Sequence, residues 1–365
     1  MQDSYYMNEA IKLALKGSIY THPNPKVGCI IVKNNQIIGK GYHRYFGGDH
    51  AEVNAVKYCL KKFKKDKGLK LLKGSTAYIT LEPCSISSKT PPCTETIIKY
   101  GIKKIFCASL DPNKSINGRG VKILRENNVD VKVGLLKNEA KSINEEFFFR
   151  HTKGRPFVRM KIAQTLDGKI ALNSGESKWI TSKNSREDVQ YLRAESDAIL
   201  VGSGTVKKDN PRLNVRDIKI NKDKFRQPKK IILGNVSARS KLNLSILKGD
   251  SEKIIFSNNP SSTEDSKIKY RKLSKSKTIE SLLEELAKFE INSLLVEGGS
   301  EVFSSFIDKN MVDELVIYIS PKILGKDAIS ALNIKSPKIL KNAANFKIIE
   351  TVPMKEDIKI IMRRI

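Results

Sequence analysis

His50-Ala51-Glu52, then Pro83-Cys84 and Pro91-Pro92-Cys93, with eight residues between the two cysteines, together make a set of three metal ligands and one acid/base group. Catalytic zinc takes three protein ligands and leaves the fourth tetrahedral position to water. One imidazole and two thiolates, from His50, Cys84 and Cys93, match that need in number and type. Such a metal makes water acidic near neutral pH, and a carboxylate beside it can carry the water's proton to a departing amine. Glu52, two residues from His50, is placed for that transfer. A helix beginning near Gly48-Asp49 would turn His50 inward and bring Glu52 to the same cavity. Each cysteine follows a proline, which places both thiols at loop-to-helix turns where a helix N-terminus favours negative sulfur. Taken singly, a His-x-Glu arises by chance on exposed helices, and an intracellular cysteine is usually a small buried hydrophobe. Cys29, Cys59 and Cys107, in apolar or helical surroundings, take that reading. The combined constellation is far more specific than its parts.

The elements that must position these groups alternate. Residues 5 to 17 read as an amphipathic helix, and 27 to 32 with 36 to 41 as a hairpin around Lys33-Asn34-Asn35. Helix 50 to 62, strand 75 to 81, helix 92 to 100, strand 103 to 109, helix 121 to 127, strand 130 to 134 and a closing helix 137 to 149 complete a layered α/β domain. His151-Thr152-Lys153-Gly154-Arg155-Pro156 breaks the pattern, so the expected domains are 1–150 and 151–365. The second half alternates again, with strands near 157–163, 198–202, 230–233, 253–257 and 293–297 and helices at 183–194, 278–288 and 300–309. Extended segments at 313–320, 346–351 and 357–362 close it. No internal repeat relates the halves, so two different folds are expected.

At 365 residues the chain is too long for one ordinary core. No run reaches the roughly 18 apolar residues of a membrane span, and the first residues lack the pattern of a signal peptide. A soluble, cytoplasmic protein without a membrane partner is expected. Five cysteines, an odd number, fit a metal site in a reducing compartment better than a disulfide framework. The formal charge of +28 invites a nucleic-acid reading, yet the excess is scattered lysine without the interleaved arginine and aromatic residues that stack bases. No nucleic-acid partner is expected; an RNA-binding or RNA-deaminating N-terminal half is the rival that steep salt-dependent RNA affinity would support.

A second chemistry sits in the C-terminal half. Val296-Glu297-Gly298-Gly299-Ser300-Glu301 reads as a strand ending in two glycines and a helix cap, a place where backbone amides can meet a phosphate. It is not Gly-x-Gly-x-x-Gly and gives no warrant for a Rossmann domain; a simple tight turn fits equally well. Trp179, the single tryptophan, lies in the polar turn Gly175-Glu176-Ser177-Lys178-Trp179-Ile180-Thr181, which favours a ligand wall over a core position. Arg193 and Arg216 could clamp a phosphate or serve as ion-pair partners. Gly202-Ser203-Gly204-Thr205-Val206 and Asp209-Asn210-Pro211 supply another strand-end loop for a nucleotide.

These segments, with His22-Pro23-Asn24-Pro25, Thr80-Leu81-Glu82-Pro83-Cys84, Asp111-Pro112-Asn113, Gly118-Arg119-Gly120, Leu166-Asp167-Gly168 and Val312-Asp313-Glu314-Leu315, resemble over the whole chain the bacterial bifunctional riboflavin-biosynthesis deaminase-reductases. Zinc deaminases of nucleic acids usually space their cysteines as Cys-x-x-Cys; the eight residues between Cys84 and Cys93 differ. The resemblance implies a cytidine-deaminase-like three-layer N-terminal domain and a dihydrofolate-reductase-like C-terminal domain. It implies zinc on His50, Cys84 and Cys93, proton transfer by Glu52 and substrate contact by Asn24. In the reductase half it implies a pyrimidine ribotide at Ser177, Arg193, Leu213, Arg216 and Glu297, and NADPH at Ala163, Trp179, Thr205, Asp209 and Gly299. A homo-oligomer acting on small pyrimidine ribotides is expected. Where the family carries a histidine pair, glycine and arginine, this chain has Ile86-Ser87-Ser88-Lys89. That departure leaves a reductase with an impaired zinc-binding deaminase half as the alternative.

Overall fold

The computed structural model describes residues 2–86, 91–236, 244–258, 267–272 and 279–365. These divide into two compact units, one of residues 1–152 with 221–225 and the other of 153–220 with 226–365.

In the first unit, β1 (Gly28–Lys33), β2 (Gln36–Tyr42), β3 (Thr76–Ile79), β4 (Lys104–Cys107) and β5 (Asp130–Val133) form a sheet in the order β2-β1-β3-β4-β5. β1 runs antiparallel to β2 and β3, whereas β3, β4 and β5 are parallel. Alternation along each strand sends side chains to opposite faces, and both faces are covered. Cys29, Ile31, Ala77, Ile79, Ile105 and Cys107 pack with α2 (Ala51–Lys62), α3 (Lys65–Leu72), α4 (Cys93–Lys99) and α5 (Arg119–Glu126). Ile30, Val32, Tyr78 and Phe106 pack on α1 (Gln2–Leu15) and α6 (Lys137–Ser142). α2 lies so close to β2 that a β-carbon at Gly41 would overlap the Ala51 carbonyl oxygen. That close approach fixes the helix start that carries His50.

Two sequence-based expectations change here, and one helix appears that the sequence reading did not include. The helix expected over 137–149 is two, α6 and α7 (Glu145–Lys153). At the break, the Asn144 side chain accepts from the Lys26 amide at 2.7 Å and donates to the Lys26 carbonyl at 2.8 Å, pairing with backbone as a strand would. The lysine-rich run after α2 forms α3, because Gly68 and Leu72 give it a buried edge. Cys84 lies in a loop, and Cys93 alone of the two thiols opens a helix.

The second unit is built on β6 (Phe157–Thr165), β8 (Ala198–Gly202), β9 (Lys229–Leu233), β10 (Lys253–Ser257), β11 (Ile268–Lys272), β12 (Ser293–Val296), β13 (Glu314–Ser320), β15 (Phe346–Met354) and β16 (Asp357–Arg364). Among the described residues their order is β11-β10-β9-β8-β12-β6-β13-β16-β15, parallel up to β13 and antiparallel through the last hairpin. β7 (Lys169–Ala171) and β14 (Ile329–Ser330) pair separately. α10 (Ile279–Lys288) and α11 (Ser300–Asp308) cover the face bearing Val158, Met160, Ile162, Leu294 and Val296. α8 (Lys183–Ala194) and α9 (Ser203–Asp209) cover the other, with Ile199, Val201 and Leu295. The 203–209 segment expected as a loop is therefore a helix, with Val206 wholly buried beneath it.

Lys230 and Lys253 face each other on the neighbouring strands β9 and β10, 3% and 1% exposed. The Lys230 ammonium donates to the Ile246 and Lys248 carbonyls. Burial, reinforced by the Lys253 charge, pushes its pKa down to about 8. A depressed lysine pKa penalises the folded state while both states are charged, and the penalty lifts once pH passes the folded value. The wild type should therefore gain stability relative to Lys230→Met as pH rises from about 8 toward the ordinary lysine value, measured by denaturant unfolding across that window. Parallel pH profiles for the two proteins would contradict the burial cost.

Candidate functional site

His50 is the N-cap residue of α2, and its carbonyl accepts the first helical bond from the Asn54 amide at 3.0 Å. Its Nδ1 lies 3.4 Å from the Cys84 Sγ and 3.3 Å from the Cys93 Sγ. All three ligand atoms fall within 4.8 Å of one another. Zn–N bonds of about 2.0 Å and Zn–S bonds of about 2.3 Å at tetrahedral angles imply N···S separations of roughly 3.5 Å, so this donor set fits zinc in type and spacing. The Cys93 amide, at the start of α4, donates to the Cys84 Sγ at 3.3 Å, and the Cys84 carbonyl accepts from the Thr94 amide at 3.3 Å. Helix α4 thus stabilises negative charge on a neighbouring thiol as well as presenting its own. Hydrogen bonding from Cys93, and then from His50, pulls the Cys84 thiol well down, while the same Cys84 contact pushes Cys93 up.

Glu52 follows on the first turn of α2 and is 4% exposed. Burial raises its carboxyl pKa, with the His50 charge opposing. A buried carboxyl at the edge of a thiolate-imidazole cluster is suited to hold and release a proton. Asn24 comes beside this cluster through His43, whose Nε2 is 3.2 Å from the Asn24 Nδ2. The other His43 nitrogen lies 3.1 Å from the Asp49 carbonyl, and its ring meets that of His50 edge-on at 5.3 Å. Sequence reasoning missed His43. Its signal was available: it is one of four histidines, two residues past the strand expected over 36 to 41 and shortly before the His50 helix. Ile86 is exposed and residues 87–89 of the departing loop lie outside the described residues.

The second unit gathers charge at the ends of parallel strands. Glu297, just past β12, accepts from the Arg193 Nε at 2.6 Å and Nη2 at 3.0 Å and pairs with the Lys161 Nζ at 3.2 Å. Burial raises the Glu297 pKa, but the Arg193 and Lys161 charges more than offset it and bring it to about 2. Arg193, 9% exposed, spends its fork on this carboxylate. Of the two readings the sequence left open for Arg193, phosphate clamp or ion-pair partner, this geometry is that of the ion pair. The Asn214 carbonyl accepts from both Arg193 and Arg216, which draws the half-buried Arg216 to the same cluster. Lys161 was also missed. Val158, Met160 and Ile162 face the core, so period-two alternation already put Arg159, Lys161 and Ala163 on the other face.

The remaining positions separate. Thr205 and Gly299 adjoin, since a β-carbon on Gly299 would sit 3.1 Å from the Thr205 Oγ1. Gly299 is the N-cap of α11, and Asp209 ends α9. Leu213 is 4% exposed and packs in the core beside Val189 and Leu192. Trp179 is 60% exposed, with the Arg186 guanidinium 4.2 Å over its ring and its carbonyl accepting from Lys322 at 2.7 Å. Ser177 lies half-buried in the same loop.

The profile of the cytidine and deoxycytidylate deaminase zinc-binding region matches residues 1–109, and that of the RibD C-terminal domain matches residues 156–360. A riboflavin biosynthesis protein RibD from Buchnera aphidicola is 41% identical, over 100% of this chain and 99% of its own length. The chain belongs to the RibD family. RibD from Escherichia coli is 37% identical over 95% of each chain. The solved structure of Acinetobacter baumannii RibD superposes with a TM-score of 0.88 at 34% identity, covering 100% of this chain and 99% of that one. A diaminohydroxyphosphoribosylaminopyrimidine deaminase/5-amino-6-(5-phosphoribosylamino)uracil reductase of Thermotoga maritima gives 0.83 at 37% identity with the same coverage. Both α/β halves expected from the sequence are those of this family. Among the described residues no helix is long and apolar enough to cross a membrane.

Removing the charge of Glu297 would leave Lys161 and Arg193 buried without their partner, a loss of about 3–5 kcal/mol. The folded pKa lies below the ordinary glutamate value, so this stabilisation is complete above that value and lost as pH falls toward about 2. Glu297→Gln should be less stable at neutral pH in denaturant unfolding and should lack that part of the acid-induced loss. Equal stability of the two proteins would show that the ion cluster contributes nothing net.

Proposed function

We propose that residues 1–150 hydrolytically deaminate 2,5-diamino-6-ribosylamino-4(3H)-pyrimidinone 5′-phosphate. Residues 151–365 then use NADPH to reduce the ribosyl group of 5-amino-6-(5-phosphoribosylamino)uracil to ribityl. The observation that carries this reading is the convergence of the His50, Cys84 and Cys93 ligand atoms beside the buried Glu52 in a full-length RibD relative. Zinc held by those three residues would supply Lewis-acid activation of the attacking water. Glu52 takes the water's proton and delivers it to the departing amine, and its raised pKa keeps the proton available between the two transfers. Asn24, oriented by His43, holds the pyrimidine edge.

In the reductase half, bound NADPH would supply the hydride, so the chain's task is positioning and charge. Ala163, Trp179, Thr205, Asp209 and Gly299 face the cofactor in this reading. Ser177 and Arg216 contact the ribotide, Leu213 contributes backbone, and Arg193 holds Glu297 in place with Lys161. Nothing in the comparisons supports the reductase-only alternative, and the convergence of His50, Cys84 and Cys93 in a deaminase zinc-binding region favours the bifunctional reading. Thiol ligands and free cysteines suit a cytoplasmic setting. The exposed Ile348, Ile349 and Ile358 on the β15–β16 hairpin suit a homo-oligomer.

Glu52→Gln should keep stoichiometric zinc and lose ammonia release by at least about 100-fold; turnover within a few-fold of wild type would remove Glu52 from the proton path. Arg216→Ala should raise the reductase KM for the ribotide about tenfold or more, the loss of one charge-assisted hydrogen bond, with deamination unchanged. Equal loss of both activities would place its effect on folding.

A further inference from the structure

Glu82 is 4% exposed, two residues before Cys84, and its carboxylate is fully engaged by a distant loop. The Asp111 and Gly118 amides donate to its Oε2 at 3.1 and 2.9 Å, and the Val121 amide donates to its Oε1 at 3.2 Å. Its own amide donates to the Ser109 carbonyl at 2.9 Å, so Glu82 is joined to the end of the neighbouring strand through backbone as well. The loop it grips is internally built. The Asp111 carboxylate accepts from the Asn113 amide at 2.8 Å, Asn113 accepts from Ser115, and the Asn117 side chain donates to the Asp111 carbonyl. At the far end of the grip, a β-carbon on Gly120 would overlap the Pro83 carbonyl oxygen, so the start of α5 presses directly on the residue preceding Cys84.

We infer that Glu82 is a positioning residue for the metal centre: its carboxylate clamps the 111–121 segment beneath Pro83, and that segment sets where the Cys84 sulfur stands relative to His50 and Cys93. The inference rests on zinc being held by those three ligands. Supporting groups behind metal ligands fix ligand orientation, and their loss typically weakens metal affinity about 10- to 100-fold. An amide cannot replace this carboxylate, because its NH2 group would face a backbone N–H donor and leave it unpaired.

The test uses the full-length protein loaded with cobalt(II) in place of zinc, together with zinc competition against a chromophoric chelator. Glu82→Gln should show an altered thiolate-to-cobalt absorption band and zinc affinity lower by about 10-fold or more, with reductase turnover unchanged. A purely structural role would lower the unfolding midpoint and leave the cobalt spectrum alone, so an unchanged spectrum and affinity in the folded variant overturn the inference. If Glu82→Gln does not fold, Gly120→Ala decides, since it displaces the same segment with Glu82 intact; a shifted cobalt spectrum supports the clamp and an identical one overturns it. Failure of the wild type itself to bind cobalt or zinc would instead overturn the metal reading on which the inference stands.

Discussion

The N-terminal unit is organised by one requirement, that an imidazole nitrogen and two thiol sulfurs from three separate segments lie within 4.8 Å of one another. Each segment is fixed by something other than the ligand it carries. The tight contact of Gly41 on α2 sets the height of His50, the pairing of β3 between β1 and β4 sets the approach to Cys84, and α4 begins at Cys93. The unit's two-sided core, with alternate residues of β1, β3 and β4 buried on each face, supplies the rigidity that such a cluster needs. Ligand geometry built on strand ends and helix starts is held far more closely than geometry built on loops alone.

The C-terminal unit meets a related problem with protein charges. Glu297 is surrounded by Lys161 and Arg193, and Arg216 approaches through the Asn214 carbonyl. A carboxylate buried here is stable because two cations compensate its desolvation. The cluster keeps a positive excess at the ends of parallel strands, where open α/β sheets bind ligands. The proposed ribotide site would draw on that excess, which comes from specific residues of the cluster. The +28 formal charge of the whole chain is a separate matter of scattered surface lysine.

Much of this was legible in sequence because it is local. The metal ligands announce themselves by residue type and spacing, and the doubly buried strands by short apolar runs between turns. What escaped depends on partners far along the chain. The break between α6 and α7 follows from Asn144 pairing with Lys26, 118 positions away. The choice between the two roles open to Arg193, phosphate clamp or ion-pair partner, depends on Glu297, 104 positions away, with which it pairs. Leu213 is buried, so the role that the resemblance implies for it would fall to its backbone. Cys84 looked like a helix-opening thiol from its proline, yet the helix that serves it is the one begun by Cys93. His43 and Lys161 had local signals, a rare residue type and a strand period, that acquire meaning only when the neighbouring groups are in place.

The most direct test of two linked activities on one chain is a single reaction of the zinc-loaded protein with the diaminopyrimidine ribosyl phosphate and NADPH, following ammonia and NADPH together. Ammonia release is expected with or without NADPH, and NADPH oxidation should approach one equivalent per ammonia released. NADPH oxidation from the diamino substrate without ammonia would contradict it, leaving a reductase joined to a zinc-binding domain that does not deaminate this substrate.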